Sequence, residues 1–128
     1  MSYYPLNNIP DYYGIDDLLT EEHILIRNSV RDWVQSFIMP QIDDAAQHHK
    51  DIPNLMKELG AIGALGPYIP EEYGGAGLDQ ISYGLIMQEL ERGDSAVRSA
   101  ASVQSSLVMF PIFEFGSEKQ KCKYLPKL

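Results

Sequence analysis

Residues 89–109 read ELERGDSAVRSAASVQSSLVM and place two helical patterns next to each other. The apolar spacing of the first helix ends near Gly93, and glycine is common at helix C-termini. Asp94 or Ser95 can then cap a second helix, which we predict over residues 96–109. Apolar or small residues occupy almost every side of this second helix, so we expect it to be buried. The two predicted helices therefore nearly abut.

Further helical patterns lie upstream, where apolar residues recur every three or four positions. One helix begins after Leu18, with Thr20 as its predicted N-cap, and ends at or just before Pro40. A shorter helix covers residues 52–60. The helix that ends near Gly93 starts at about Asp79. The intervening stretch PYIPEEYGGAG contains too many prolines and glycines for a helix or a strand, so it is predicted to be a loop.

The last part of the chain adds one more helix. Pro111 bends or ends the helix over residues 96–109. Ser117 and Gln120 then form a capping-box pattern, and the helix that follows holds Cys122 as a small packed thiol. No segment alternates as a strand would. The predicted fold class is therefore all-α, a single helical-bundle domain of about five helices.

Composition and charge exclude several classes of protein. The length of 128 residues, with 45% hydrophobic side chains, suits one compact domain. We divide the chain into an irregular N-terminal arm, residues 1–17, and a helical domain, residues 18–128. The net charge of −8 argues against nucleic-acid binding. No apolar run reaches the length of a membrane span and no leader pattern is visible, so we expect a cytoplasmic protein.

The titratable residues do not form a metal-binding pattern. His48 and His49 are adjacent, and neighbours on a helix point about 100° apart, so they cannot easily hold one ion. We therefore predict no metal site and expect these histidines at a solvated helix end. Cys122 is the only cysteine, which excludes an internal disulfide.

Three blocks in this order carry a family resemblance: LMKELGAIGALGPYIPEEYGGAGL at residues 55–78, YGLIMQELERGDSAVRSAASVQSSLV at 83–108 and PIFEFGSEKQKCKYLPKL at 111–128. The chain from residue 18 to residue 128 resembles the N-terminal helical domain of the acyl-CoA dehydrogenases, flavoenzymes that desaturate acyl-CoA thioesters. Arg-Ser followed by Ser-Val-Gln-Ser-Ser-Leu is most similar to the glutaryl-CoA dehydrogenase branch.

The resemblance implies that this chain is one part of a larger enzyme. Family members add a β-domain and a second helical domain, and these parts hold most of the FAD site. The glutamate that removes the α-proton lies beyond residue 128, so no catalytic residue is assigned here. The complete enzyme is expected to bind an acyl-CoA, to form a homo-oligomer, a tetramer, and to pass electrons to an electron-transfer flavoprotein. Glutaryl-type members also decarboxylate the intermediate to crotonyl-CoA.

Arg98 is the most informative polar residue, because a guanidinium among apolar and small side chains requires an anionic partner. Helical spacing alone favours a salt bridge to Asp94, four residues earlier. The resemblance implies instead that Arg98 binds the distal carboxylate of the substrate, with Glu91 and Ser99 nearby. Three other polar residues either face neighbouring helices or, as the resemblance implies, line the acyl pocket: Ser102, Gln104 and Ser105.

Two alternatives remain open. In the first alternative, the chain is a free-standing helical interaction module. This alternative predicts polar residues on the faces that would meet the further domains of an enzyme. An enzyme domain taken alone should instead expose the apolar faces that normally meet its other domains. In the second alternative the parent enzyme is a general dehydrogenase of monocarboxylic acyl-CoA substrates, and Arg98 argues against it.

Overall fold

The computed structural model describes residues 11–128, so most of the predicted N-terminal arm, residues 1–10, lies outside the described residues. The described part contains helices and no strand, as predicted for the all-α class. Two pairs of α-helices are each continuous through a π-helical segment, which gives five helical runs. The runs are α1 (Glu21–Trp33) with the π segment Val34–Ile38 and α2 (Met39–His48); α3 (Leu55–Ala61); α4 (Gln80–Gly93); α5 (Ser95–Ser102) with the π segment Val103–Met109 and α6 (Phe110–Phe115); and α7 (Glu118–Tyr124).

Side chains cap the first and last helices as the sequence predicts. Thr20 accepts a hydrogen bond from the His23 N–H at 3.2 Å, and His23 Nδ1 accepts the Thr20 N–H at 3.3 Å. At the start of α7, the side-chain oxygen of Gln120 accepts the Ser117 N–H at 2.9 Å. These bonds satisfy N–H groups that lack a partner inside the helix, and so they fix where each helix begins.

Neither predicted proline boundary ends a helix. The first run continues past Pro40 to His48, so the expected ending there is wrong. The fourth run continues past Pro111 to Phe115, so of the two expectations for Pro111, a bend or an ending, the ending is wrong. Each proline lies in the first turn of the α-helix that resumes after a π segment. A missing N–H is tolerated at this position, because the usual pairing of the helix has been shifted by the π turn.

The main core lies between α1, α4 and α5. Gly93 allows the end of α4 to lie close to the first helical run, because a Cβ at this position would lie 2.6 Å from Val34 Cγ1. Trp33 and Phe37 stack at the edge of the core, with ring centroids 5.1 Å apart. The buried apolar residues of this core are Val30, Val34, Ile38, Leu59, Ala64, Ile86, Leu90, Val97 and Ala101.

The predicted loop before α4 packs closely on itself. Apart from one 3-10 turn at Glu71–Tyr73 it has no regular structure, as predicted. Gly75 lies so close to Ile69 that a Cβ would come within 1.9 Å of the Ile69 carbonyl oxygen. Ile69 is itself fully buried against Met109 and Leu125. Through Ile69, the loop therefore packs against both the second π segment and the 3-10 turn that holds Leu125.

Two predictions of burial are wrong. The helix predicted at residues 96–109 is buried on one side only, and the side chain of Leu107 is 70% exposed. Cys122 is exposed on α7 rather than packed. No residue of α7 is fully buried, and the buried contact in this part of the chain comes from Leu125, in the 3-10 turn that follows.

Candidate functional site

The junction of α4 and α5 sets the geometry of the candidate site. Asp94 is extended, with φ −165°, and its Oδ1 accepts the N–H groups of Ala96 and Val97 at 2.8 and 3.0 Å. This break turns the chain between the two helices. As a result Glu91, in the last turn of α4, lies against Arg98, in the second turn of α5.

Four side chains meet at this junction, and we call Glu91, Ser95, Arg98 and Ser102 the Arg98 cluster. Arg98 Nε donates to Glu91 Oε2 at 2.6 Å, and the Ser95 hydroxyl donates to Glu91 Oε1 at 2.5 Å. Arg98 Nη1 donates to Ser102 Oγ at 3.3 Å. The salt bridge to Asp94 that helical spacing favours is therefore wrong, because Asp94 caps α5 and Glu91 takes the guanidinium.

The Arg98 cluster is charged and open to solvent. The hydrogen bonds from Arg98 and Ser95 lower the pKa of the Glu91 carboxyl, so Glu91 is ionised at neutral pH. The Arg98 side chain is 35% exposed. A guanidinium has five N–H donors, and the contacts in residues 11–128 engage Arg98 through Nε and Nη1. The remaining donors, on Nη1 and Nη2, can bind an anion from solution.

The other predicted site residues lie in different surroundings. Ser99 is half-buried beside Arg98, and its carbonyl oxygen accepts the Ser102 hydroxyl at 3.2 Å. Gln104 Nε2 donates to the carbonyl oxygen of Leu128 at 3.2 Å. The structure thus brings Glu91, Arg98 and Ser102 together with Ser99 alongside, and it directs Gln104 to the end of the chain.

Ser105 is fully buried beneath the loop that precedes α4. Its Oγ accepts the Gly66 N–H at 2.9 Å, and its carbonyl oxygen accepts the Tyr68 hydroxyl at 2.8 Å. Burial raises the pKa of the Tyr68 phenol, which therefore remains a donor at neutral pH. These bonds hold the second π segment against the loop.

An apolar face follows the Arg98 cluster along the same helical run. Val103, Leu107 and Phe110 are 48, 70 and 40% exposed, whereas Ala101, Ser105 and Met109 of the same run are buried. An exposed apolar surface of this kind suits contact with an acyl chain, with a flavin ring or with another domain. None of these three side chains is polar, so this face has no side chain to hold the pyrophosphate of FAD.

Sequence reasoning missed two polar contacts near the helix junctions. His23 is buried, and its Nε2 donates to Asp79 Oδ2 at 2.8 Å, since Nδ1 already accepts the Thr20 N–H. These residues are 56 positions apart, so no local sequence pattern predicts the pair. The bond from Ser95 to Glu91 spans the turn at Asp94, so the four-residue rule of a continuous helix gives no signal for it either.

Within residues 11–128, no group of three or more His, Cys, Asp or Glu side chains is arranged to hold a metal ion. His48 is exposed and contacts Asp44 at 2.9 Å, at the end of α2. Over the same residues, no helix has both the length and the apolar character that crossing a bilayer requires.

The fold resembles those of solved acyl-CoA dehydrogenases. A glutaryl-CoA dehydrogenase from Mycobacterium smegmatis, in complex with FADH2, is 39% identical with a TM-score of 0.85, and the match covers 98% of this chain and 31% of that one. The butyryl-CoA dehydrogenase from Megasphaera elsdenii is 32% identical with a TM-score of 0.78, over 84% of this chain and 29% of that one.

Sequence comparison leads to the same family. A probable acyl-CoA dehydrogenase from Bacillus subtilis (strain 168) is 41% identical over 110 residues, which are 85% of this chain and 18% of that protein. The chain thus spans less than a third of the length of each of these relatives. The family model for the acyl-CoA dehydrogenase N-terminal domain matches residues 20–128. The chain belongs to the acyl-CoA dehydrogenase N-terminal domain family.

Proposed function

We propose that residues 18–128 form the substrate-pocket domain of an FAD-dependent acyl-CoA dehydrogenase that acts on a dicarboxylic acyl-CoA, as glutaryl-CoA dehydrogenase does. The observation that carries this proposal is the Arg98 cluster. Its guanidinium is oriented by Glu91 and Ser102, is partly exposed and retains free N–H donors. A monocarboxylic acyl chain has no group that would use these donors.

The proposed reaction removes the α-proton and the β-hydride of the thioester. It then releases CO₂ from the distal carboxylate, and the carbanion left at the γ-carbon takes up a proton, which gives crotonyl-CoA. FAD, when bound in the complete enzyme, would supply the hydride acceptor. The task of this chain is to bind and orient the substrate: Arg98 holds the distal carboxylate, and Ser99 and Ser102 lie beside it. Fixing one end of the substrate in this way limits the positions of the reacting carbons at the other end.

The apolar face of Val103, Leu107 and Phe110 supports a role within a larger enzyme. A free-standing interaction module should cover this side of the helix with polar residues, and the structure exposes apolar ones instead. We propose that the acyl chain and the further domains cover this face, and that the domain alone is inactive. The homotetramer, electron transfer to an electron-transfer flavoprotein and a cytoplasmic location remain part of the proposal.

The similarity to butyryl-CoA dehydrogenase supports a second candidate, a dehydrogenase of monocarboxylic chains. The two candidates differ in what Arg98 contributes. In the dicarboxylic case Arg98 pairs with the substrate, whereas in the monocarboxylic case its pair with Glu91 only joins α4 to α5.

The test replaces Arg98 by leucine in the complete protein that carries this chain and compares glutaryl-CoA with butyryl-CoA. We expect kcat/KM for glutaryl-CoA to fall about 100-fold, and kcat/KM for butyryl-CoA to change by less than about threefold. Lys119→Leu, which removes an exposed cation from α7, is the matched control and should alter neither value. An equal loss for both substrates in Arg98→Leu would overturn the dicarboxylic proposal.

A further inference from the structure

Ser95 holds the one oxygen of Glu91 that Arg98 does not use. We propose that Ser95 is a positioning residue, which keeps Glu91 from occupying both sides of the Arg98 fork and thereby leaves N–H donors for the substrate carboxylate. This inference rests on the proposed function, and it assigns a specificity role to a residue outside the predicted site.

The carboxylate of Glu91 is divided between two partners. Oε2 accepts Arg98 Nε at 2.6 Å, and Oε1 accepts the Ser95 hydroxyl at 2.5 Å. A carboxylate next to a guanidinium ordinarily takes two parallel N–H groups, one with each oxygen. Each oxygen can accept more than one hydrogen bond, so the direction of Oε1 matters. The Ser95 hydroxyl holds Oε1 toward the first residue of α5, and Glu91 makes one bond to Arg98 instead of two.

The opposite end of the guanidinium is fixed by a second serine. Arg98 Nη1 donates to Ser102 Oγ, and the Ser102 hydroxyl donates in turn to the Ser99 carbonyl oxygen at 3.2 Å. The Ser102 oxygen therefore acts as the acceptor toward Arg98. Ser102 and Glu91 thus hold the guanidinium in place while Nη2 remains available, and Ser95 holds Glu91. Nη2 belongs to the fork that a bidentate Glu91 would fill.

The position of Ser95 separates this role from helix stability. Ser95 is the first residue of α5, and the cap of this helix is made by Asp94 with the N–H groups of Ala96 and Val97. Removing the Ser95 hydroxyl leaves those bonds unchanged. Ser95 is also exposed, so alanine at this position creates no buried cavity.

Loss of the hydroxyl should therefore act on substrate binding and not on folding. In Ser95→Ala, Oε1 of Glu91 is free to turn toward Arg98 and to accept a second N–H. The substrate carboxylate must then displace Glu91 before it can bind. A substrate without a distal carboxylate makes no such demand, so its KM should not change.

The experiment measures kcat and KM for glutaryl-CoA and butyryl-CoA in the complete protein, with Ser95→Ala and Ser95→Thr. We expect Ser95→Ala to raise KM for glutaryl-CoA about five- to tenfold, with kcat for both substrates and KM for butyryl-CoA unchanged. Threonine keeps the hydroxyl and should restore KM to within about twofold. Ser36→Ala serves as the matched control, because the Ser36 hydroxyl that it removes donates to backbone carbonyls of the same helical run.

Three results would overturn the role of Ser95: an unchanged KM for glutaryl-CoA in Ser95→Ala, an equal rise of KM for both substrates, or no rescue by threonine. The Arg98→Leu assay separates this inference from the proposed function. If Arg98→Leu discriminates between the substrates and Ser95→Ala does not, only the role of Ser95 is wrong. If Arg98→Leu affects both substrates equally, the dicarboxylic proposal itself is wrong.

Discussion

The carboxylate of Glu89 and the guanidinium of Arg31 form two parallel hydrogen bonds, each of 2.9 Å, which join α4 to α1. Glu89 is fully buried, whereas the Arg31 side chain is 17% exposed. An ionised carboxylate inside a core requires a partner of this kind, because burial removes its hydration. Arg92 is the next cation, with its Nε 3.7 Å from the same carboxylate, too far for a good hydrogen bond.

Replacing Arg31 by methionine should strongly destabilise the domain. Glu89 would then be a buried charge without its bidentate partner, and we expect the free energy of unfolding to fall by about 3–5 kcal/mol. Urea denaturation measures this change. The double variant Arg31→Met/Glu89→Leu removes both charges and should recover most of the loss, and a single variant as stable as the wild type would contradict the prediction.

The Asp79 carboxylate should make stability depend on acid pH. The Ser82 N–H, followed by the His23 ring, lowers the pKa of Asp79 from 3.8 to about 2. A group with a lowered folded-state pKa contributes stability above its unfolded pKa and loses it as the pH falls toward the folded value. The contribution of Asp79 is therefore complete above about pH 4 and is lost toward about pH 2.

Asp79→Asn should flatten this part of the pH profile, since asparagine still caps α4 but does not titrate. Urea denaturation midpoints across the acid range give the comparison. Asp17→Asn, in the exposed 3-10 turn before α1, is the control and should keep the slope of the wild type. Equal slopes in the wild type and Asp79→Asn would show that the predicted effect is absent.

The Tyr73 phenol should titrate unusually late. Its hydroxyl donates to Glu118 Oε2 at 2.7 Å, and this bond raises the pKa of Tyr73 to about 12. A raised folded-state pKa stabilises the fold fully below about pH 10, and the effect is lost as the pH rises toward 12. Tyr73→Phe should remove the latest tyrosinate step from an ultraviolet absorbance titration. A late step that persists in Tyr73→Phe would assign it to a different tyrosine.

Two glycine-to-alanine changes should have opposite effects on stability. In Gly75→Ala the new Cβ meets the Ile69 carbonyl oxygen, so the loop must move and we expect a loss of about 2 kcal/mol or more. In Gly84→Ala, on the exposed side of α4, nothing lies within 4 Å and alanine is the better helix former. That variant should gain about 1 kcal/mol. Thermal or urea denaturation compares the pair, and a gain for Gly75→Ala would refute the steric argument.

The sequence was sufficient to predict the number of helices and most of their caps. Thr20 and the Ser117–Gln120 pair were found because capping uses short, fixed spacings. The helix endings at Pro40 and Pro111 were wrong for a related reason. Proline signals a break only when the α-helical pairing is regular, and a π segment upstream shifts that pairing. The apolar spacing of the sequence does not distinguish such a segment from an ordinary α-helix.

Three residues of the Arg98 cluster, Glu91, Arg98 and Ser102, could be singled out from the sequence, but Ser95 and the contacts of the cluster could not. Arg98 could be singled out because it is a fixed charge among small residues. Its partner was not evident, because the rule of four residues assumes one continuous helix and the chain turns at Asp94. Glu91 is therefore brought to Arg98 by a helix junction. The pairs His23–Asp79 and Arg31–Glu89 are separated by more than 50 residues and depend on the tertiary fold.

The π segment Val103–Met109 also affects how this helix can vary in length. A π turn accommodates an additional residue within a helix that is otherwise regular on both sides. Deleting one residue there would return the segment to ordinary α pairing and leave the helix after it in nearly the same phase relative to Arg98. A deletion within regular α pairing has no wide turn to absorb it and would rotate everything after it by about 100°. The π segment is thus the place in this helical run where one residue can be lost while the charged end and the apolar end of the proposed pocket keep their relative orientation.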